Sequence, residues 1–310
     1  DADTGEDKMV KEARKVGKSV WDIAQFYIDA FKEDTAKLNI LEPHELPRAT
    51  DHIEDQINLI KKLEKKGFTY TAGGNVYFDT ARFPDYGKLA NLKIAEEGKN
   101  RVAKDPHKKN QHDFVLWFTK SKFTDQEMKW DSPWGTGYPG WHIECSAMSM
   151  KYLGTQFDIH TGGIDHLAIH HSNEIAQSEG ATGTPFARYW LHGNFLVTKE
   201  KMSKSKGNTI TIAALEEKGF DALDFRYFVL GAHYRAPLTF SWEALSAAAS
   251  ARKNIESFVR ELAADGEMNG KAITAYRTKF LNALNDDLNT PQRLPWFGSS
   301  SAITAPKKVI

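Results

Sequence analysis

The chain has 310 residues, and its 41 Lys plus Arg balance 41 Asp plus Glu, so the formal net charge is zero. A neutral chain offers a nucleic acid or a membrane surface no overall attraction, and an anionic partner must be met by a local patch. No apolar run reaches the roughly 18 residues of a membrane span, and the first residues lack the apolar core of a signal peptide, so we expect a cytoplasmic protein.

The first half of the chain predicts helices followed by short strands. Apolar residues recur at helical spacing from Asp7 to Leu38, and another helix is predicted from Ile53 to Lys66. Gly73-Gly74-Asn75 lies between two alternating segments and predicts a hairpin. The apolar run Phe114–Phe118 is typical of a buried strand.

The second half predicts alternating strands and helices. A helix over residues 143–152 precedes a strand at 157–160, a turn at Gly162-Gly163 and a helix from about Ala168 to Gly180. Strand, glycine turn and helix form the unit of a parallel α/β sheet, where ligands bind at the carboxyl ends of strands. A further strand is predicted at 189–197, and helices are predicted at 213–218, 222–231 and 242–264.

Histidines are concentrated in the segment HTGGIDHLAIHHSNEIAQSE, from His160 to Glu179. His170 and Glu174 are four residues apart, so on a helix they project from one face. Cys145, the only cysteine, lies 25 residues before His170, and a single cysteine excludes an internal disulfide. Thiolate, imidazole and carboxylate are the side-chain groups that bind zinc.

Two interpretations of these residues stay open. Taken alone, the pattern favours His170 and His171 as solvated helix residues and Cys145 as a small apolar core residue, because pairs such as His170 and Glu174 often occur without a metal. The other interpretation is a zinc site. It makes His160, His166 and His171 candidates for contacts to the ligands or to a substrate.

The string KMSKSKGN, from Lys201 to Asn208, lies between a predicted strand and a predicted helix. It is not a P-loop, because GxxxxGK[ST] occurs nowhere in the chain. A lysine-rich loop is usually a solvated surface, but ammonium groups on a mobile loop can also stabilise charge on a polyphosphate. The later segment HYRAPLTFSWEAL places Arg235 among aromatic residues, which suits either a nucleic-acid backbone or an ordinary helix connection.

Taken in order, five segments resemble the cysteinyl-tRNA synthetases, a family of class I aminoacyl-tRNA synthetases. They are WDSPWGTGYPGWHIECSAMS, FDIHTGGIDH, HHSNEIAQSE, KMSKSKGN and HYRAPLTFS. The resemblance covers nearly the whole chain as far as ALNDDLNTPQ. It implies ATP-dependent ligation of L-cysteine to tRNA(Cys) through cysteinyl adenylate, with ATP bound as its magnesium complex and zinc holding the substrate thiolate.

The resemblance also implies roles for individual residues. Cys145, His170 and Glu174 match three zinc ligands, and a thiolate bond to zinc is unavailable to serine, so it rejects serine without an editing site. Trp141, His160 and Asp165 match residues around the bound amino acid. Lys204 matches the lysine that contacts ATP, and Lys201 and Lys204 are the expected catalytic residues. The other expected ATP-binding residues are Met202, Ser203 and Ser205.

The family's pattern has parts without a counterpart here. It includes an HIGH-like motif and a further cysteine ligand before the quoted segments, and an anticodon-binding region after them. Residues 292–310 show no periodicity and are interpreted as an irregular, aberrant tail. We therefore expect a fragment that forms little adenylate by itself, and we also expect a monomer.

Two other functions remain open on the sequence. A ligase of the same family that joins cysteine to an amino sugar is one, although HYRAPLTFS and the long helix after Trp242 argue mildly against it. A non-catalytic zinc-binding or RNA-binding module derived from the fold is the other. The zero net charge argues against strong RNA binding by such a module.

The expected fold class is α/β, with a Rossmann-like class I catalytic domain that carries an inserted subdomain and precedes a helical region. Residues 1–46 are predicted to be the remainder of the first half of the catalytic domain, and residues 47–112 the inserted subdomain. The second half, with the zinc and cysteine site, is predicted at 113–195. The remaining boundaries are 196–241 for the KMSKS-bearing stem, 242–291 for the start of a helical bundle and 292–310 for the tail.

Overall fold

The structure is a computed structural model that describes residues 8–91, 105–123, 126–198, 210–261 and 270–292. The chain divides into two compact units. One consists of residues 1–30 and 43–192, and the other of residues 31–42 and 193–310. The finer boundaries predicted at residues 47, 113, 196 and 242 are not resolved by this division and remain predictions.

The first helices lie where the apolar spacing predicts them. Helix α1 spans Lys8–Val16 and helix α2 spans Val20–Lys37, and their buried residues form one small apolar cluster. Helix α3 spans Ile53–Lys65 after a 3₁₀ turn at Ala49–His52. Gly67 follows α3 with a φ of 78°, a conformation that glycine adopts without a steric penalty and that ends the helix.

Four strands of the first unit form one antiparallel sheet. Its order is β1 (Thr69–Ala72), β2 (Asn75–Phe78), β3 (Phe114–Phe118) and β4 (Tyr138–Pro139). The predicted hairpin is confirmed, because Gly73 and Gly74 join β1 to β2 with φ values of 57° and 94°. The predicted strand β3 is confirmed at the same residues.

The core of the first unit holds the helices of the candidate site in place. Helix α4 spans Trp141–Leu153 and helix α5 spans His170–Thr182, and these two helices pack on each other and on α3. Seven of the completely buried side chains of this core come from α3, the antiparallel sheet and α4: Ile60, Leu63, Val76, Phe78, Leu116, Trp117 and Ile143. The site therefore lies on a packed scaffold.

A second sheet pairs β5 (Phe157–Gly163) with β6 (Ala187–Gly193). The predicted turn at Gly162-Gly163 is wrong, because both glycines are the last residues of β5 and a 3₁₀ turn at Ile164–His166 leads towards α5. Close packing explains this glycine pair. A Cβ on Gly162 would lie 2.6 Å from Cε1 of His171.

The predicted strand at 189–197 is divided in two. Strand β6 ends at Gly193, and the two-residue β7 (Leu196–Val197) pairs in parallel with β8 (Leu238–Thr239). Asn194 explains the break, because its backbone N–H donates to the carbonyl of Tyr234 and its side-chain amide donates to the carbonyl of Arg235. The first bond uses a backbone N–H that a continuous strand would pair within its own sheet, and the second holds the side chain in the same place.

The second unit is mainly helical, as predicted. Its helices are α6 (Ile212–Glu217), α7 (Ala222–Leu230), α8 (Trp242–Glu261) and α9 (Gly270–Asn285). The side chain of Asp221 caps α7 by accepting from the N–H of Leu223, and the side chain of Asp224 accepts from the N–H of Asp221. Among the described residues, every helix is too short or too polar to cross a membrane.

Candidate functional site

The three predicted metal ligands come together in the first unit. Cys145 lies on α4, and His170 and Glu174 lie one turn apart on α5. The cysteine sulfur, a histidine ring nitrogen and a carboxylate oxygen all lie within 4.8 Å of one another. Ligands of a tetrahedral zinc ion sit roughly 3.3–3.8 Å apart, so small side-chain adjustments bring these three atoms onto one ion.

The carboxylate of Glu174 lies at the centre of this group and is fully buried. Its Oε2 is 3.0 Å from Nε2 of His160 and 3.8 Å from the Nε2 atoms of His170 and His171. Its Oε1 finds no hydrogen-bond partner among the described residues. Leaving a buried charged oxygen unsatisfied costs about 1–3 kcal/mol or more, and a bound cation removes that cost. The donor group therefore fits a zinc ion.

Burial controls the protonation of the other ligands. It raises the pKa of the Cys145 thiol to about 12, and the negative charges of Glu174 and Glu144 act in the same direction. Burial also lowers the pKa of His170, against the opposing charge of Glu174, and lowers the pKa of His171 to about 3. Neutral imidazoles keep a lone pair for a metal, whereas the thiol must release its proton when it binds one.

Two of the three predicted substrate residues lie against the metal ligands. The ring of Trp141, at the start of α4 and half exposed, is centred 4.6 Å from the ring of His170. His160, on β5, contacts Glu174 directly. Asp165 lies in the 3₁₀ turn after β5, where its carboxylate fills the space beside Gly163. Trp141 and His160 thus border the donor group from two different elements.

The interpretation of His170 and His171 as solvated helix residues is wrong, because they are only 5% and 1% exposed. The predicted ATP-site residues are not among those that the structure describes. They are Lys201, Met202, Ser203, Lys204 and Ser205.

Arg235, the candidate contact to a nucleic acid, lies in the second unit. Its Nε is 2.5 Å from Oδ2 of Asp287, and the hydroxyl of Tyr234 donates to Oδ1 of the same carboxylate. The charge of Arg235 is therefore balanced by an aspartate. A contact between Arg235 and a nucleic acid remains a prediction.

Three aromatic residues of the site were not singled out from the sequence. His142 precedes Cys145 by three residues on α4, and Nδ1 of His142 is 2.9 Å from Nδ1 of His170. Trp190 and His192 alternate along β6, with the ring of Trp190 centred 4.7 Å from that of His160. Helical spacing from Cys145 gives a signal for His142, and alternation along a strand gives one for the β6 pair.

The chain is similar in sequence to known proteins over most of its length. The family described as tRNA synthetases class I (C) catalytic domain matches residues 3–250. The cysteine–tRNA ligase of Treponema denticola is 53% identical over 319 residues, covering 95% of this chain and 65% of the relative. The cysteine–tRNA ligase of Borrelia hermsii is 46% identical with the same coverage of both chains. The chain therefore spans about two thirds of the length of these relatives, slightly less in each case.

Solved structures give the same fold at low sequence identity. A Mycobacterium tuberculosis methionyl-tRNA synthetase in complex with methionyl-adenylate aligns with a TM-score of 0.63 and 17% identity, over 93% of this chain and 70% of that chain. This likeness confirms the predicted class I synthetase fold. Because the family match extends over residues 3–250, well over half of the chain, the chain belongs to the family of class I tRNA synthetase (C) catalytic domains.

Proposed function

We propose that this protein takes part in the ATP-dependent ligation of L-cysteine to tRNA(Cys), through a cysteinyl adenylate. The observation that carries the proposal is the donor group of Cys145, His170 and Glu174 in a chain whose relatives are named cysteine–tRNA ligases. A zinc ion, when bound there, would supply a coordination position that takes the thiolate of the substrate. ATP enters as its magnesium complex.

The side chains of this chain would select and orient the substrate. Trp141, half exposed beside His170, offers an aromatic surface over the amino acid. Nε2–H of His160 donates to Oε2 of Glu174 at 3.0 Å and so fixes the carboxylate that would hold the ion. Asp165 supplies a negative charge near the site, suited to the ammonium group of an amino acid. We propose substrate roles for these three residues on that basis.

Cysteine selection follows from this donor set. An apolar pocket separates cysteine from serine weakly, because the two differ by one atom, whereas a sulfur–zinc bond has no equivalent in serine. The lysines and serines of KMSKSKGN, Lys201 and Lys204 above all, would bind ATP and stabilise the charge that develops on the leaving pyrophosphate. No side chain is needed as a nucleophile, since the substrate carboxylate attacks the α-phosphate.

The proposal is tested by loading the chain with Co²⁺, which replaces zinc and absorbs visible light. Addition of L-cysteine is expected to produce a new sulfur-to-metal absorption band, and L-serine is expected to leave the spectrum unchanged. The matched control is Cys145→Ser, which removes the protein's own sulfur band and keeps the side-chain size. A spectrum that responds equally to serine, or does not respond to cysteine, contradicts the proposal.

A further inference from the structure

The rings of His142 and His170 meet through the same type of atom. Their Nδ1 atoms are 2.9 Å apart, which is a hydrogen-bond distance. Of two facing ring nitrogens, one must carry the proton and the other must accept it. Nε2 of His170 lies on the other side of the ring, 3.8 Å from Oε2 of Glu174.

The direction of this hydrogen bond decides whether His170 can bind a metal. When Nδ1–H of His170 donates to His142, the proton of the neutral His170 ring is on Nδ1, and the Nε2 lone pair is free. When His142 donates instead, the proton of His170 is on Nε2, which then cannot be a ligand. Only the first arrangement leaves a lone pair directed towards Glu174.

We propose that His142 is a positioning residue, which accepts the proton of His170 Nδ1–H and so holds the His170 Nε2 lone pair towards Cys145 and Glu174. A metal-binding histidine usually donates its second N–H to a carboxylate, a carbonyl or water, and here an imidazole takes that place. The inference rests on the zinc site proposed above and adds a residue to it.

The surroundings of His142 hold its ring in position for this role. The edge of its ring meets the ring of Phe114 on β3, at 5.7 Å between centroids and an interplanar angle of 88°. The ring of Trp141 stacks on the ring of His142, with 5.6 Å between the centroids and an interplanar angle of 30°. Contacts from a strand and from its own helix thus limit the rotation of the His142 ring.

The experiment measures zinc affinity by chelator competition on the full chain. His142→Leu removes the acceptor, and His142→Asn has the same branched shape but places a carbonyl oxygen near the position of Nδ1. We expect His142→Leu to bind zinc about 10–100-fold more weakly, and His142→Asn to recover most of that loss. His142→Phe, which keeps the ring contact with Phe114, is expected to lose as much affinity as His142→Leu. His44→Phe, at an exposed histidine of the same unit, is the control and should bind as the native chain does.

The urea midpoint of each metal-free variant separates positioning from packing. A loss of zinc affinity that Asn restores, with metal-free stability similar for Asn and Leu, supports the inference. Native zinc affinity in His142→Leu and His142→Phe overturns it, as does an Asn variant as weak as Leu. If the native chain itself binds no zinc, the proposed zinc site fails together with this inference. Native binding that is insensitive to His142 overturns this inference alone.

Discussion

Replacing Glu174 by Gln should change metal binding and metal-free stability in opposite directions. The carboxylate is fully buried, and its Oε1 lacks a hydrogen-bond partner among the described residues. Glutamine keeps the shape of the side chain and removes its charge. We expect the metal-free chain to become more stable and the affinity for zinc to fall.

The magnitudes follow from the contacts of the two oxygens. Glutamine still leaves one polar atom without a partner, but an unsatisfied neutral atom costs less than a charged one, which recovers about 2 kcal/mol, whereas weakening the 3.0 Å bond to His160 from charged to neutral loses about 1 kcal/mol. The free energy of unfolding of the metal-free chain should therefore rise by about 1 kcal/mol. Zinc affinity should fall more than about tenfold, because even residues that only support a ligand account for 10–100-fold.

Urea unfolding followed by tryptophan fluorescence, with and without zinc, measures both effects. The fluorescence reports mainly on the first unit, which contains Trp21, Trp117, Trp130, Trp134, Trp141 and Trp190. Glu179→Gln, the same substitution later on α5, is the control, since Glu179 accepts a hydrogen bond from the Phe186 N–H and forms no metal-donor group with other described residues. A Glu174→Gln chain that is less stable without metal, or that binds zinc with native affinity, refutes the reasoning.

Two further substitutions test the packing around the site and the sheet below it. Gly162→Ala should lower the free energy of unfolding by about 1–3 kcal/mol, measured with urea, because the added Cβ would lie 2.6 Å from the buried His171 ring. An unchanged urea midpoint would show that this ring moves freely and would contradict the prediction. Asp113→Asn should cost about 2–4 kcal/mol at pH 7, because the buried carboxylate accepts from Tyr70 and from both the N–H and the hydroxyl of Thr80. Burial raises the pKa of Asp113, but these hydrogen bonds outweigh it and the pKa is lowered overall, so this contribution is complete above pH ~4 and is lost as the pH falls through the folded-state pKa. The difference between native and Asp113→Asn chains should therefore shrink in acid, and a difference that stays constant from pH 7 to pH 3 would contradict the linkage.

The sequence predicts those helices and strands whose buried residues form an apolar pattern along the chain. Helix α3 and strand β3 are examples, because their buried residues recur at the spacing of a helix and in a continuous run. Helix α5 is the opposite case. Most of its polar residues are buried, Ser172, Asn173 and Gln177 among them, although its sequence resembles a solvated helix.

The reason for the burial of α5 lies in tertiary contacts that no local pattern contains. Asn173 accepts from the hydroxyl of Tyr86, and Gln177 accepts from the hydroxyl of Ser146. These partners lie far away along the chain, so a polar helix becomes an interior one only when they are in place. The pair of His170 and Glu174 was predictable from its spacing, but their closeness to Cys145 depends on how α4 packs on α5.

The placement of the donor atoms on two helices has a consequence for the rigidity of the first unit. Cys145 and His170 are 25 residues apart, with the whole of β5 between them. An ion bound to both would be a reversible cross-link between the two ends of this loop. A covalent cross-link across a loop of this size is worth roughly 3.5 kcal/mol of chain entropy. The atoms that would recognise the substrate would thus also link α4 to α5. Local opening between these two helices would be slower whenever the ion is bound.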